Sequence, residues 1–166
     1  SDAIIFTRAE ERNIKEMYKD MFNPVPRFGG DHIPEKFYLP FEQRDVHPSE
    51  LKGKKIIAFA GIAKPRSFKE TLLKLGTEVL FFKAFKDHHS FTVNDIEQLK
   101  QEKERLEAEY MVTTEKDWVK IRGTGADTSG FGYLTIQFVV TEGQNEFFDM
   151  IKKRAVNRFS GLSAPG

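Results

Sequence analysis

The chain contains 166 residues, a length typical of one ordinary domain or of one and a half small ones. It has no cysteine, which excludes a disulfide framework and a thiolate metal site. The net charge is only +1, so there is no global basic field and we expect no nucleic-acid partner. No apolar run approaches the roughly 20 residues that span a bilayer.

The N-terminal third of the chain combines a short strand pattern with a long connector. Residues 3–6 are apolar and predict a strand, and Thr7 with Glu10 predicts a capped helix directly after it. Prolines and glycines are dense over residues 23–48, which indicates a connector rather than a folded unit. Within it, residues 36–41 are extended and apolar and predict an edge strand or a bridging ribbon. We place the domain boundary in this connector.

The rest of the chain alternates between short apolar runs and amphipathic helical patterns. The run over residues 55–60 shows too little alternation for a one-faced sheet, so we expect burial on both faces. The pattern predicts parallel βαβ units: an α/β fold with three α/β/α layers and a mostly parallel, Rossmann-like sheet. A strand–helix remnant and an extended hinge precede it. The predicted strands cover residues 55–60, 77–84, 110–113 and 133–140, and the predicted helices are opened by Pro65, Thr92, Thr114 and Thr141.

Right-handed crossovers place the strand-to-helix loops on one edge of such a sheet, and three of these loops carry polar residues. In the first, the Gly61 turn leads into a helix start that presents backbone N–H groups to an anion, with Lys64 and Arg66 adding positive charge. The alternative is a plain tight turn in which Pro65 starts the helix. Taken alone, this loop favours the plain turn.

The second loop holds Asp87, His88 and His89 after an apolar strand, at a position where α/β proteins place their chemistry. A carboxylate beside an imidazole orients it and raises its basicity, as general acid–base catalysis requires. Three adjacent residues point in different directions and rarely close a metal site, so no metal ligand is predicted. The alternative is a polar turn in which Asp87 binds backbone N–H groups and both imidazoles are solvated.

The third loop follows the predicted strand over residues 110–113 and contains Thr114, Glu115, Lys116 and Asp117. Thr114 with Asp117 three residues later is a capping pattern for a short helix. A hydroxyl, a lysine and a carboxylate at one crevice also suit phosphate and metal handling. The spacing alone favours the structural interpretation.

In this order and near this spacing, the three loops resemble the C-terminal half of tetraacyldisaccharide 4′-kinase, an enzyme of lipid A biosynthesis. The resemblance covers roughly residues 51–122. It implies transfer of the γ-phosphoryl group of ATP, with Mg²⁺, to the 4′-hydroxyl of a tetraacyldisaccharide 1-phosphate. It further implies a lipid A disaccharide precursor as partner, and peripheral contact with the cytoplasmic face of the bacterial inner membrane. The matching residues are 58–62, Pro65, Phe85, Asp87, His88, His89, Thr113 to Asp117, Val119 and Lys120.

The resemblance also implies roles for individual residues. His88 assists the catalytic carboxylate of another lobe, and Asp87 orients it. Ala63 and Lys64 replace the family's glycine and asparagine, and Trp118 stands where a small residue is usual. The residues implied in cofactor binding are Gly61, Lys64, Thr114, Glu115, Lys116 and Asp117.

On this resemblance, residues 1–22 belong to an N-terminal kinase lobe, 23–50 form a hinge or β-ribbon, 51–160 form the C-terminal lobe and 161–166 are a disordered tail. The 166 residues contain no G-x-x-x-x-G-K-[ST] loop to hold the β- and γ-phosphates. We therefore expect a fragment that is inactive alone, with ATP and Mg²⁺ held mainly by the other lobe.

Two alternatives remain open at this stage. One is a stand-alone Rossmann-like module that binds a nucleotide or a sugar phosphate at the turns near Gly61 and Thr113 without catalysis. The other is a metal-dependent hydrolase that uses the turn from Asp87 to His89.

Overall fold

The structure, a computed structural model, describes residues 3–7 and 25–160, with side chains to residue 156. The helix predicted after Thr7 and the tail over residues 161–166 lie outside the described residues. The chain divides into two compact units: a terminal unit of Ser1–Ile33 with Gln137–Gly166, and a central unit of Pro34–Ile136. None of the helices in the described ranges is long and apolar enough to cross a membrane.

The described residues form seven strands, four α-helices and a one-turn 3₁₀ helix at Pro48–Leu51. The strands are β1 Ile4–Thr7, β2 Arg27–Leu39, β3 Arg44–Val46, β4 Lys55–Ala60, β5 Glu78–Ala84, β6 Tyr110–Thr114 and β7 Phe131–Glu142. The helices are α1 Pro65–Lys74, α2 Val93–Arg105, α3 Glu115–Ile121 and α4 Gln144–Ser160.

The central unit is built on a mostly parallel sheet in the order β2–β7–β6–β4–β5. Strand β4 pairs in parallel with β5 and β6, and β6 pairs in parallel with β7. The later part of β2 runs antiparallel to the early part of β7: the Lys36 N–H donates to Thr135 Oγ1 at 3.1 Å, while Gly132 faces Phe37. The predicted fold class is confirmed.

Successive residues of β4 face opposite layers. Ile56, Ala58 and Ala60 pack toward α1, whereas Ile57 and Phe59 pack toward α2 and α3. All five are fully buried, which confirms the predicted burial on both faces. Burying each large apolar side chain stabilises the fold by about 1.5–3 kcal/mol, so β4 anchors all three layers.

The terminal unit is smaller. Strand β1 pairs in parallel with the first part of β2, with Ile4 opposite Arg27. Helix α4 packs Phe147 edge-on against Phe28, with ring centroids 5.0 Å apart. Gly30 lies so close to Phe138 that a Cβ there would sit 2.2 Å from the ring.

Two expectations are corrected by these elements. Residues 27–39 form a 13-residue strand that pairs on both sides, longer than the edge strand or ribbon expected over residues 36–41, because Phe37 and Leu39 are buried core residues. Thr141 does not cap α4, because β7 continues through Glu142 and the helix begins at Gln144.

The division into lobes stays a prediction. The compact units separate at Ile33/Pro34, within the proline-rich stretch, and again at Ile136/Gln137. Residues 137–160 therefore group with the terminal unit, whereas the sequence assigned 51–160 to one lobe.

Gly132→Ala tests the packing between β2 and β7. The new Cβ would lie 2.2 Å from two ring atoms of Phe37, which is 1% exposed. We expect a loss of about 1–3 kcal/mol in the free energy of unfolding, measured by urea denaturation. Gly123→Ala is the matched control, because its Cβ meets only an ordinary contact at 3.6 Å. Equal stability of the two variants would contradict the packing described here.

Candidate functional site at the carboxyl edge of the sheet

The loops after β4, β5 and β6 meet at the carboxyl edge of the parallel sheet, as the sequence predicted. The Gly61 N–H donates to Asp117 Oδ2 at 2.8 Å, and the His88 N–H donates to the Gly61 carbonyl at 3.2 Å. A Cβ on Gly61 would lie 3.3 Å from both Asp117 Oδ1 and the Cβ of His89. A side chain at position 61 would therefore crowd the two neighbouring loops.

Asp117 is the buried centre of this edge, with a side chain that is 0% exposed. Its Oδ2 accepts from the Gly61 N–H and from the Thr114 hydroxyl at 2.9 Å, and its Oδ1 accepts from Lys120 Nζ at 3.1 Å. Its own N–H donates to Thr114 Oγ1, which confirms the predicted cap of α3. Both carboxylate oxygens are therefore engaged by protein donors.

His88 lies on a turn that exposes its ring. Its backbone is left-handed, with φ of 58°, and its side chain is 86% exposed. The His88 N–H also donates to Asp87 Oδ1 at 3.0 Å, while its Nε2 lies 3.8 Å from Asp87 Oδ2. That separation is too long for a hydrogen bond, so Asp87 holds the turn and lies beside the imidazole without binding it.

His89 has the opposite orientation and is enclosed by neighbours. Its ring stacks on Phe85, with centroids 4.6 Å apart, and meets the edge of Phe91 at 5.0 Å. Its Nε2 lies 3.1 Å from Asp95 Oδ2. Because an ionised carboxylate only accepts, His89 Nε2 carries the proton in this contact.

Asp95 is ionised in this arrangement. Burial raises the pKa of Asp95, but hydrogen bonds from the Thr92 N–H, the Thr92 hydroxyl and His89 outweigh burial and hold the pKa below its usual 3.8. The sequence predicted Thr92 as the cap of α2 and placed His89 in the second polar loop, but it did not single out Asp95 and gave His89 no role separate from that of His88. The spacing of Asp95 three residues after Thr92 was the available signal.

The remaining predicted site residues lie at the same edge of the sheet and are exposed to solvent. Lys64 is the exposed N-cap residue of α1 and makes no capping hydrogen bond with its side chain. Glu115 and Lys116 are exposed in the first turn of α3. Lys120, which the sequence gave no role, is paired with Asp117 and lies 5.9 Å from the centre of the Phe91 ring.

The described residues do not fit a magnesium site. Within the described ranges, no group of three or more histidine or acidic side chains is arranged to hold a metal ion. The oxygens of Asp117 are bound by protein donors, and His89 is bound to Asp95. We therefore assign no metal ligand and no metal-dependent step to these residues.

The fold and its edge define an α/β domain of the kind that handles small ligands at the carboxyl ends of parallel strands. A sequence model of the tetraacyldisaccharide-1-P 4′-kinase family matches residues 1–156, and the chain belongs to this family. The resemblance seen in the three loops is thus confirmed.

Named relatives agree with this assignment. The chain is 32% identical to tetraacyldisaccharide 4′-kinase of Desulfatibacillum aliphaticivorans over 163 residues, covering 93% of this chain and 43% of the relative. It is 43% identical to the kinase of the same name from Chelativorans sp. over 74 residues, covering 45% of this chain and 21% of that one. The chain therefore spans less than half the length of these relatives.

A solved structure supports the fold. The "apo" form of LpxK from Aquifex aeolicus in complex with ATP matches with a TM-score of 0.59 and 23% identity. The match covers 92% of this chain and 42% of that one. At this identity the likeness concerns the fold alone.

Asp117→Ala tests the buried carboxylate. The substitution leaves the Gly61 N–H and the Thr114 hydroxyl without their acceptor in a buried place, so we expect a loss of about 3 kcal/mol in unfolding free energy by urea denaturation. Asp45→Ala is the control, because Asp45 also pairs with a lysine but is 52% exposed, and such pairs contribute at most about 1 kcal/mol. Equal effects of the two substitutions would refute a central role for Asp117.

Asp95 gives a pH-dependent expectation. Since its folded pKa lies below 3.8, its contribution to stability is present above that pH and is lost as the pH falls through the lower folded value. Urea titrations from about pH 6 to about pH 3 should show a shallower loss of unfolding free energy in Asp95→Asn than in the parent. If the unfolding free energies of the parent and of Asp95→Asn fell in parallel with pH, the lowered pKa of Asp95 would be contradicted.

Proposed function

We propose that this chain forms part of an ATP-dependent kinase that phosphorylates the 4′-hydroxyl of a tetraacyldisaccharide 1-phosphate in lipid A biosynthesis. The observation that carries the proposal is the family match over residues 1–156, which contains all three loops of the carboxyl edge. The relatives named above are tetraacyldisaccharide 4′-kinases, and the structural relative was crystallised with ATP. The reaction class is phosphoryl transfer to an alcohol.

His88 is the proposed catalytic residue. Its exposed imidazole on a hydrogen-bonded turn is accessible to a reacting group, and Asp87 lies beside it at 3.8 Å. In this proposal a carboxylate of the other lobe accepts the proton that the 4′-hydroxyl loses as it attacks the γ-phosphorus and ADP departs, and the His88 imidazole assists that carboxylate by accepting a proton from it.

The proposed nucleotide-contacting residues divide into two kinds. Lys64, Glu115 and Lys116 are exposed, and the two lysines offer positive charge to phosphate oxygens. Asp117 accepts hydrogen bonds from both Gly61 and Thr114. The proposed role of these three residues is therefore to shape the edge that the nucleotide approaches. The Gly61 N–H is committed to Asp117 and is not offered to a phosphate.

We further propose that the chain supplies a C-terminal lobe and is inactive alone. The support is its coverage of 43% or less of the relatives' length and the lack of a phosphate-cradling G-x-x-x-x-G-K-[ST] motif in the 166 residues. In this proposal the part of the full-length kinase outside this chain holds Mg²⁺ and makes most of the contacts to ATP. The lipid substrate places the enzyme at the cytoplasmic face of the bacterial inner membrane, in peripheral contact with it.

A second candidate is a module that binds a nucleotide or a sugar phosphate without catalysis. Its specific support is that hydrogen bonds within this chain, from Gly61 to Asp117 and from His88 to Gly61, order the edge without a second lobe. Micromolar nucleotide binding by this chain alone, unchanged by His88→Ala, would support this candidate over the kinase lobe.

His88→Ala in the full-length kinase tests the catalytic proposal. We expect turnover to fall by about 10²- to 10⁴-fold, the range typical of a lost acid–base group, with unchanged folding by circular dichroism. His32→Ala is the matched control, because His32 is another exposed histidine with no proposed role. Unchanged turnover in His88→Ala would remove His88 from the mechanism.

A further inference from the structure

The loop that carries His88 is fixed on both sides of that residue. Before it, the Phe85 N–H donates to the Ala60 carbonyl at 2.9 Å, and at His88 itself the N–H donates to Gly61. After it, the His89 N–H donates to the Lys86 carbonyl at 3.0 Å, and the His89 side chain lies between Phe85 and Phe91 and binds Asp95. His88 is thus the exposed member of a segment whose next residue is enclosed.

Asp95 makes this second anchor rigid. Its Oδ2 accepts from the Thr92 N–H at 2.9 Å, the Thr92 hydroxyl at 2.8 Å and His89 Nε2–H at 3.1 Å. The Asp95 N–H in turn donates to Thr92 Oγ1 at 3.2 Å. The carboxylate is therefore held by the first turn of α2, and α2 itself is held by the buried side chains of Ile96 and Leu99.

The backbone of His88 needs such an anchor. A left-handed backbone is unfavourable for a residue other than glycine, and it persists only where the surroundings impose it. If the side chain of His89 were released, only backbone hydrogen bonds would hold the loop around His88. The imidazole of His88 would then sample other directions.

We propose that His89 and Asp95 are a positioning pair for His88, joined by the hydrogen bond from His89 Nε2 to Asp95. The pair is fixed by the first turn of α2, and it holds the loop so that the His88 imidazole keeps one orientation. Neither residue of the pair touches the substrate. The inference rests on the proposed function, because it takes His88 as the catalytic group.

Substitutions at position 89 separate the hydrogen bond from the aromatic stacking. In the full-length kinase we expect His89→Ala to lower kcat by about 10- to 100-fold with little change in KM for ATP, since a displaced catalytic group slows chemistry rather than binding. His89→Gln retains an N–H donor for Asp95 and should recover most of the loss. His89→Phe retains stacking on Phe85 without the donor and should not.

A double-mutant cycle with His88 shows whether the pair acts through that residue. His89→Ala should lower kcat in the parent enzyme but cause no further loss in a His88→Ala background. Thr124→Ala is the stability control, because it removes a hydroxyl that donates to the Ile121 carbonyl at 2.8 Å and accepts from the Ala126 N–H at 3.2 Å, and both partners lie outside the His89–Asp95 contact. It should lower the free energy of unfolding and leave kcat unchanged.

Two different failures can be told apart. If His88→Ala lowers kcat, but His89→Ala lowers it equally with and without His88, the positioning role is overturned and the proposed function stands. The positioning role is also overturned if Thr124→Ala lowers kcat as much as His89→Ala does. If His88→Ala leaves kcat unchanged, the proposed catalytic role of His88 is wrong. The positioning role of His89 and Asp95 is then wrong as well, because it depends on that role.

Discussion

The buried carboxylate of Asp117 holds the carboxyl edge of the sheet together. It accepts the Gly61 N–H from the loop after β4 and the Thr114 hydroxyl from the start of α3, and it pairs with Lys120. A polar side chain at this depth is stable only when its oxygens are hydrogen-bonded, so the neighbouring backbone has little freedom. The turn that receives the His88 N–H is shaped by this requirement.

Two adjacent histidines on this edge have opposite environments, and this contrast organises the proposed chemistry. His88 is 86% exposed, whereas His89 is 28% exposed and bound to Asp95. A reacting group must be reachable, and a group that fixes geometry must be enclosed. Each histidine has its own aspartate: Asp87 lies beside the exposed ring of His88, and Asp95 binds the enclosed ring of His89.

Local patterns predicted much of the fold correctly. The strand over residues 55–60 and the caps at Thr92 and Thr114 follow from interactions within three or four residues, which a sequence displays directly. The two glycines and the proline of β2 obscured this long strand in the sequence, because its stability comes from pairing with β7 rather than from its own propensity. The same long-range pairing extends β7 past Thr141, so α4 begins only at Gln144.

The sequence by itself determined the α/β class, the three polar loops, the capping residues and the resemblance to the kinase family, since these depend on local spacing and motif order. Only the tertiary structure decided which polar residues meet. Gly61 and Asp117 are 56 positions apart, and a parallel sheet brings them to 2.8 Å. Whether His88 or His89 faces solvent also depends on the path of the loop over Phe85 and Phe91, because adjacent imidazoles are equivalent until the surrounding chain encloses one of them.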